Sequence, residues 1–259
     1  MAKTPAAKEA SKERRGGRLA AYVEATRSPL TAAALTLPLL CFYGLGSIFL
    51  ADARNGVDIV SVGLSWLFAS LNSEGWRPYA LFYGVLILLN LGLIVWLKRR
   101  DRFDGRYFVP LIAECAVYAI ATGTLSSYLT RNVLDAMHLT VLPLATGTGI
   151  GAVTGLFVSA GAGLHEELVF RLIGIGGVAR LWLGADWRRR TGRLLVVTLI
   201  SALVFSAVHH IVEPFRFSAF LFRTFAGLVF AALFLGRGFA VAAWTHALYD
   251  VWVIVVLGR

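Results

Sequence analysis

Apolar residues along this chain are gathered into long blocks, separated by short polar or charged stretches. A helix needs about 20 apolar residues to cross the hydrocarbon core of a bilayer. On that criterion, transmembrane helices are expected near residues 30–51, 79–97, 107–129, 163–183, 194–212, 217–236 and 239–257. Two further apolar stretches fit less well. Residues 56–72 are interrupted by Asp58 and several serines, and residues 139–162 contain Pro143 and the glycines of ATGTGIGAVTG, which weaken a regular helix. The pattern predicts an all-α fold, a polytopic transmembrane helix bundle of about seven spans.

The polar stretches orient this bundle. Seven Lys/Arg lie in residues 1–28, and the other dense cationic clusters are KRRDRFDGR at 98–106 and DWRRRTGR at 186–193. With seven spans all three fall on one side, which the positive-inside rule makes the cytosol. Counting either doubtful stretch alone as a crossing moves a basic cluster to the wrong side, so both are expected to be interfacial or re-entrant. The N-terminus is then cytosolic and the C-terminus lies on the opposite face. Residues 1–28 are too long and too charged for a simple cleaved signal peptide and are expected to be a basic cytosolic tail. Residues 29–259 are expected to form a single polytopic membrane domain.

Composition agrees with the block pattern. The chain is 58% hydrophobic and 15% charged, with a mean hydropathy of +0.70, outside the usual range of soluble domains. A formal charge of +10 would raise nucleic-acid binding in a soluble protein, but here the cations sit mainly in loops and tails. No nucleic-acid partner is expected; the bilayer is, with the basic tail meeting anionic lipid. Cys41 and Cys115 both lie in apolar segments without a CxxC spacing and read as core residues.

Ionisable residues inside the expected helices are few, and such groups mark function by default because burying them in a membrane is expensive. Glu166, Glu167 and Arg171 lie on the fourth span, His209 and His210 near the end of the fifth, Arg223 on the sixth, and His246 and Asp250 on the seventh. Glu167 and Arg171 are four residues apart, as are Phe205 and His209, and His246 and Asp250, so each pair shares a helix face. Hydrolysis of a peptide bond needs an activated water, a proton donor for the leaving amine and a stabiliser for the oxyanion. Two carboxylates and two histidines supply these groups.

The segments EELVFR at 166–171, FSAVH at 205–209 and HALYD at 246–250 resemble the motifs EExxxR, FxxxH and HxxxN/D of the CPBP family. These are the CAAX-protease and bacteriocin-processing (Abi) intramembrane proteases. The similarity covers roughly residues 163–257, which makes that region the expected catalytic core. The resemblance implies that Glu166, with His209, activates the attacking water, that Glu167 and Arg171 support the framework, and that His246 stabilises the oxyanion. Asp250 stands where several relatives have asparagine; an ionised aspartate accepts but does not donate hydrogen bonds, so it is expected to orient His246 or to be protonated. Family members have been described as metalloproteases, and Glu166, His209 and His246 would be the zinc ligands. HExxH is absent, Val169 standing where its second histidine would be, and a metal-free glutamate mechanism is favoured, with no cofactor.

The expected substrate is a membrane-anchored protein or peptide cut near a C-terminal or signal segment, in a bacterial inner membrane, as sorting-type (myxosortase-like) members do. A zinc-dependent CAAX-type prenyl-protein protease and a bacteriocin self-immunity protein are the alternatives within the family. Outside it stands a non-enzymatic transporter or scaffold. His165 and His210 sit one position off the motif face and are expected to be bystanders. Glu213, before Pro214, is expected to be solvated, and Arg223 to form a structural pair inside the bundle. With the fourth span starting at 163, Glu166 lies about 5 Å from its outer end, which favours a cavity opening away from the cytosol. The glycines at 149, 151, 155, 174, 176 and 177 are expected to allow close helix approach.

Overall fold

Long apolar blocks become long helices here because a bilayer leaves the backbone no other partner than itself. The computed structural model describes residue 17 and residues 19–54, 58–73, 75–139, 151–211 and 213–257, and among these there is no strand. Residues 19–26 form a helix, α1. It is followed by α2 (Pro29–Phe49), α3 (Ala51–Arg54), α4 (Ile59–Ser70), α5 (Arg77–Leu97), α6 (Phe108–Ala136) and α7 (Ala152–Glu166). A π-helical segment, Glu167–Gly177, joins α7 to α8 (Val178–Leu183). The chain then forms α9 (Thr191–His209), α10 (Phe217–Arg237) and α11 (Phe239–Asp250), the last extended by a π-turn over Val251–Val256.

Six of these helical stretches are long and apolar enough to cross a membrane, and the protein is a multi-pass membrane protein. Five lie close to the expected spans: Pro29–Phe49, Arg77–Leu97, Thr191–His209, Phe217–Arg237 and Phe239–Val256. The sixth, Gly105–Ala136, outruns its expected end at 129. The outer faces carry bare leucines such as Leu81, Leu88 and Leu195, as a lipid-facing surface requires. The 12-residue α4 covers the doubtful stretch 56–72 and is about 18 Å long, too short to span.

The expected fourth span, 163–183, is not among these six and departs from expectation. Its helix begins at Ala152, not 163, and runs unbroken through the π-segment to Leu183. The second half of the stretch expected to be interfacial or re-entrant, 152–162, is therefore part of this rod; residues 140–150 lie outside the described residues. Packing outweighs the poor helix propensity of glycine here. A Cβ on Gly161 would lie 2.5 Å from the ring of Tyr43, and one on Gly163 would lie 2.5 Å from the backbone nitrogen of Ala247. These glycines let α2 and α11 lie directly against α7. The new start also moves Glu166 to the end of the 15-residue α7, about 21 Å from its beginning instead of 5 Å.

The rod runs through the middle of the bundle, with α2 and α11 against α7 and with α9, α10 and α11 around the π-segment. Helix α5 packs on α2, and α6 on α10 and α11. Within the expected tail, α1 is docked on the bundle: Tyr22 donates to Glu114 Oε2 at 2.5 Å, and Arg237 donates to both oxygens of Glu114 at 2.6 and 2.8 Å.

Candidate active site

Three helices, α9, α10 and α11, converge on the carboxylates of the rod. Glu166 is the last α-helical residue before the π-segment, and its backbone is helical on both sides. π-helical geometry is rare and recurs at functional sites; here it runs over the 11 residues Glu167–Gly177. Glu166 is 2% exposed, in a chain where few carboxylates are buried. Its Oε1 lies 3.6 Å from Nε2 of His209 and its Oε2 lies 3.7 Å from Nε2 of His246. Each carboxylate oxygen thus faces one imidazole nitrogen, at a spacing slightly beyond a direct hydrogen bond.

Both imidazoles are fixed from behind. Nδ1 of His209 lies 2.7 Å from the carbonyl oxygen of Phe205, one helical turn back, so Nδ1–H donates and Nε2 is turned to the site. The Phe205 ring meets His209 edge-on at 5.1 Å. Nδ1 of His246 lies 2.8 Å from Oε1 of Glu167. The His246 ring stacks on Phe230, with centroids 4.4 Å apart and planes 15° from parallel. Asp250 Oδ2 is 3.6 Å from His246 Nε2, so the expected pairing of these two is a charge neighbourhood rather than a hydrogen bond.

Glu167 and Arg171 form the expected pair, both buried, with Oε1 and Nη1 3.1 Å apart in an arrangement outside hydrogen-bond geometry. Arg171 also donates from Nη2 to the carbonyl of Gly227 at 3.1 Å. Its guanidinium lies over the rings of Phe205 and Phe230, at 4.3 and 5.5 Å. A buried cation needs such compensation: one carboxylate, one carbonyl and two aromatic faces. Arg171 therefore ties α10 and α9 to the rod one turn below Glu166.

The remaining polar residues divide. Arg223 pairs with Glu213, Nη2 to Oε2 at 2.7 Å, so the expected structural partner of Arg223 is Glu213, and Glu213 is not a free solvated charge. His210 has no hydrogen-bond partner on either ring nitrogen among the described residues and lies against Phe215 and Phe220. His165, expected to be a bystander, lies inside the continuous rod rather than near its start. It is 3% exposed, with Nδ1 3.2 Å from Asp58 Oδ1 and Nε2 3.4 Å from the Tyr83 hydroxyl. Sequence reasoning treated Asp58 only as an interruption, although a lone carboxylate in an apolar block was the signal that it had a buried partner.

Among the described residues no group of three or more His, Cys, Asp or Glu side chains is arranged to hold a metal ion, the set Glu166, His209 and His246 included.

Residues 148–252 match the family model described as Rce1-like, type II CAAX prenyl endopeptidase, which covers less than half of the chain but all three motif segments. No curated protein and no solved structure matches the chain.

Proposed function

We propose that the chain, whose residues 148–252 match the Rce1-like family model, is a CAAX-type intramembrane protease working as a glutamate-dependent endopeptidase. In this reading it hydrolyses a peptide bond near the C-terminal or signal segment of a membrane-anchored protein. The observation that carries the proposal is the placement of the Glu166 carboxylate, with one oxygen toward Nε2 of His209 and the other toward Nε2 of His246.

Glu166 takes a proton from a water held between its carboxylate and Nε2 of His209, and the resulting hydroxide attacks the scissile carbonyl. The lone pair of that nitrogen faces the site because Nδ1–H is engaged by the Phe205 carbonyl. His246 carries its Nδ1 proton against Glu167 and, when doubly protonated, presents Nε2–H to the developing oxyanion. Glu166 then returns its proton to the leaving amine. Asp250 lies 3.6 Å from Nε2 of His246 and adds a carboxylate beside the site. Glu167, Arg171 and Phe205 keep these groups in place without touching the substrate. The basic loops and tail support an N-terminal segment on the cytosolic side of the membrane.

The test is cleavage by the purified protein, reconstituted in liposomes, of internally quenched peptides anchored by a farnesyl group or by a transmembrane helix. Glu166→Gln and His209→Ala are each expected to abolish cleavage while leaving the protein folded. Activity surviving both substitutions rules the proposal out. Comparing the membrane proteome of a deletion strain with that of its parent is expected to reveal an uncleaved tail, which identifies the natural substrate.

A further inference from the structure

A second buried polar network lies beside the turn that carries Glu166. Asp58 is 0% exposed and caps α4: its Oδ1 accepts from the backbone nitrogens of Val60 at 3.1 Å and Ser61 at 3.0 Å. The same Oδ1 lies 3.2 Å from Nδ1 of His165, and Oδ2 accepts from the Ser61 hydroxyl. Nε2 of His165 is left to accept from the Tyr83 hydroxyl on α5 at 3.4 Å. Tyr43 on α2 closes the pocket, edge-on to His165 at 5.0 Å, with its own hydroxyl donating to the carbonyl of Ala53. Four donors converge on one carboxylate, the arrangement that keeps it ionised where water is excluded.

Packing alone does not explain such a network. A buried carboxylate and imidazole hold a bundle together no better than apolar residues of the same volume, but their bonds are directional. Three apolar contacts allow a helix to rotate or slide slightly; Asp58 and Tyr83, at the two nitrogens of one ring, do not. His165 and Glu166 are consecutive and lie about 100° apart around α7. Pinning the azimuth of one therefore sets the azimuth of the other. Among the described residues, no hydrogen bond of its own fixes the Glu166 carboxylate, whose imidazole neighbours stand at 3.6 and 3.7 Å. The turn is also held by Glu167 against His246 and by Gly163 against α11.

We propose that Asp58 and His165 are positioning residues for the reaction at Glu166: the Asp58–His165–Tyr83 network clamps the glutamate-bearing turn of α7 to α4 and α5 and so holds that carboxylate between His209 and His246. The proposal rests on the assignment of Glu166 made above. It gives the short helix α4, which has no length to span the membrane, a role in the site.

His165→Phe separates the polar link from the packing, because a phenyl ring keeps the contacts with Tyr43 and Tyr83 and loses both nitrogens. On the same quenched peptides, kcat is expected to fall about tenfold or more with KM unchanged, since a 1 Å misplacement of a reacting group costs up to about a hundredfold. Asp58→Ala removes the acceptor for His165 Nδ1 and is expected to lower kcat as His165→Phe does, whereas Asp58→Asn, which keeps the helix cap and that acceptor, is expected to rescue most of the loss. A folded His165→Phe protein with wild-type kcat overturns the proposal, as does a folded Asp58→Ala protein with wild-type kcat. If His165→Phe does not fold, Tyr83→Phe decides: a several-fold loss of kcat at constant KM supports the proposal, and wild-type kcat overturns it. Glu166→Gln serves as the reference. If it is inactive while His165→Phe is fully active, only the positioning role falls; if it is active, the assignment of Glu166 falls first.

Discussion

Glu167 and His246 join the rod to α11 through one 2.8 Å hydrogen bond, Oε1 to Nδ1, with Glu167 wholly buried. The same carboxylate oxygen lies 3.1 Å from Arg171. One glutamate therefore sets the tautomer of the imidazole facing Glu166 and neutralises the cation below it. The adjacent pair of glutamates divides its labour by orientation: Glu167 looks inward to the framework and Glu166 toward the two Nε2 atoms.

Removing Glu167 leaves Arg171 as a buried charge without its carboxylate. Glu167→Ala is expected to destabilise the protein by about 3–5 kcal/mol. Glu167→Gln, which keeps an acceptor for His246, is expected to cost less. Thermal unfolding in detergent micelles ranks the two, and equal melting temperatures would contradict the pairing.

Gly163 is where α7 and α11 touch. A Cβ there would stand 2.5 Å from the nitrogen of Ala247 and 2.7 Å from the carbonyl oxygen of Ala243, backbone atoms that have no rotamer to escape into. Gly163→Ala is expected to destabilise by about 1–3 kcal/mol and to reduce kcat by separating Glu167 from His246. Gly192→Ala, where nothing lies within 4 Å, is the control and is expected to be neutral. The comparison is read from melting temperature and peptide cleavage together.

Asp250 lies 3.6 Å from Nε2 of His246 and is partly exposed. An asparagine amide in its place donates to an oxyanion directly, so Asp250→Asn is expected to retain activity within about tenfold of wild type. Asp250→Ala offers neither charge nor donor and is expected to lose more. Parallel kcat measurements check the order, and an alanine variant more active than the asparagine one would contradict it.

Removal of metal is expected to leave cleavage intact. After dialysis against a strong chelator the purified protein should retain its rate on the quenched peptides, with metal content measured on the same sample. Stoichiometric zinc lost in step with activity would overturn the glutamate mechanism.

At the other end of the bundle, Arg237 and Tyr22 share Glu114. Arg237→Ala is expected to loosen α1 by about 1 kcal/mol, the worth of a typical hydrogen bond. Tryptic cleavage after Arg27 should then run several-fold faster than in wild type, as followed by mass spectrometry. An unchanged rate would show that α1 is held elsewhere.

The long apolar blocks and the three motif segments were legible in the chain because each is a local property: length against bilayer thickness, and side chains four residues apart on one helix face. The pairs Glu167 with Arg171 and Phe205 with His209 follow from that spacing alone and are found in contact. The start of the fourth span was not legible, because glycine is a poor helix former until another helix occupies the space its missing side chain leaves, as Tyr43 does at Gly161. The partner of Arg223 was equally hidden; Glu213 reaches it only because α9 and α10 are folded back on each other.

Sequence alone determined that this chain is a helical membrane protein and named the ionisable residues at Glu166, Glu167, Arg171, His209, His246 and Asp250, since helix periodicity and the cost of membrane burial both act within a single segment. Only the tertiary structure decided which atoms face each other: that Glu166 offers one oxygen to each of two imidazoles, and that His165 is bound to Asp58, more than a hundred positions earlier. No residue pattern carries that information, because the azimuth of one helix against another is set by close packing and by directional bonds from neighbours far away in sequence.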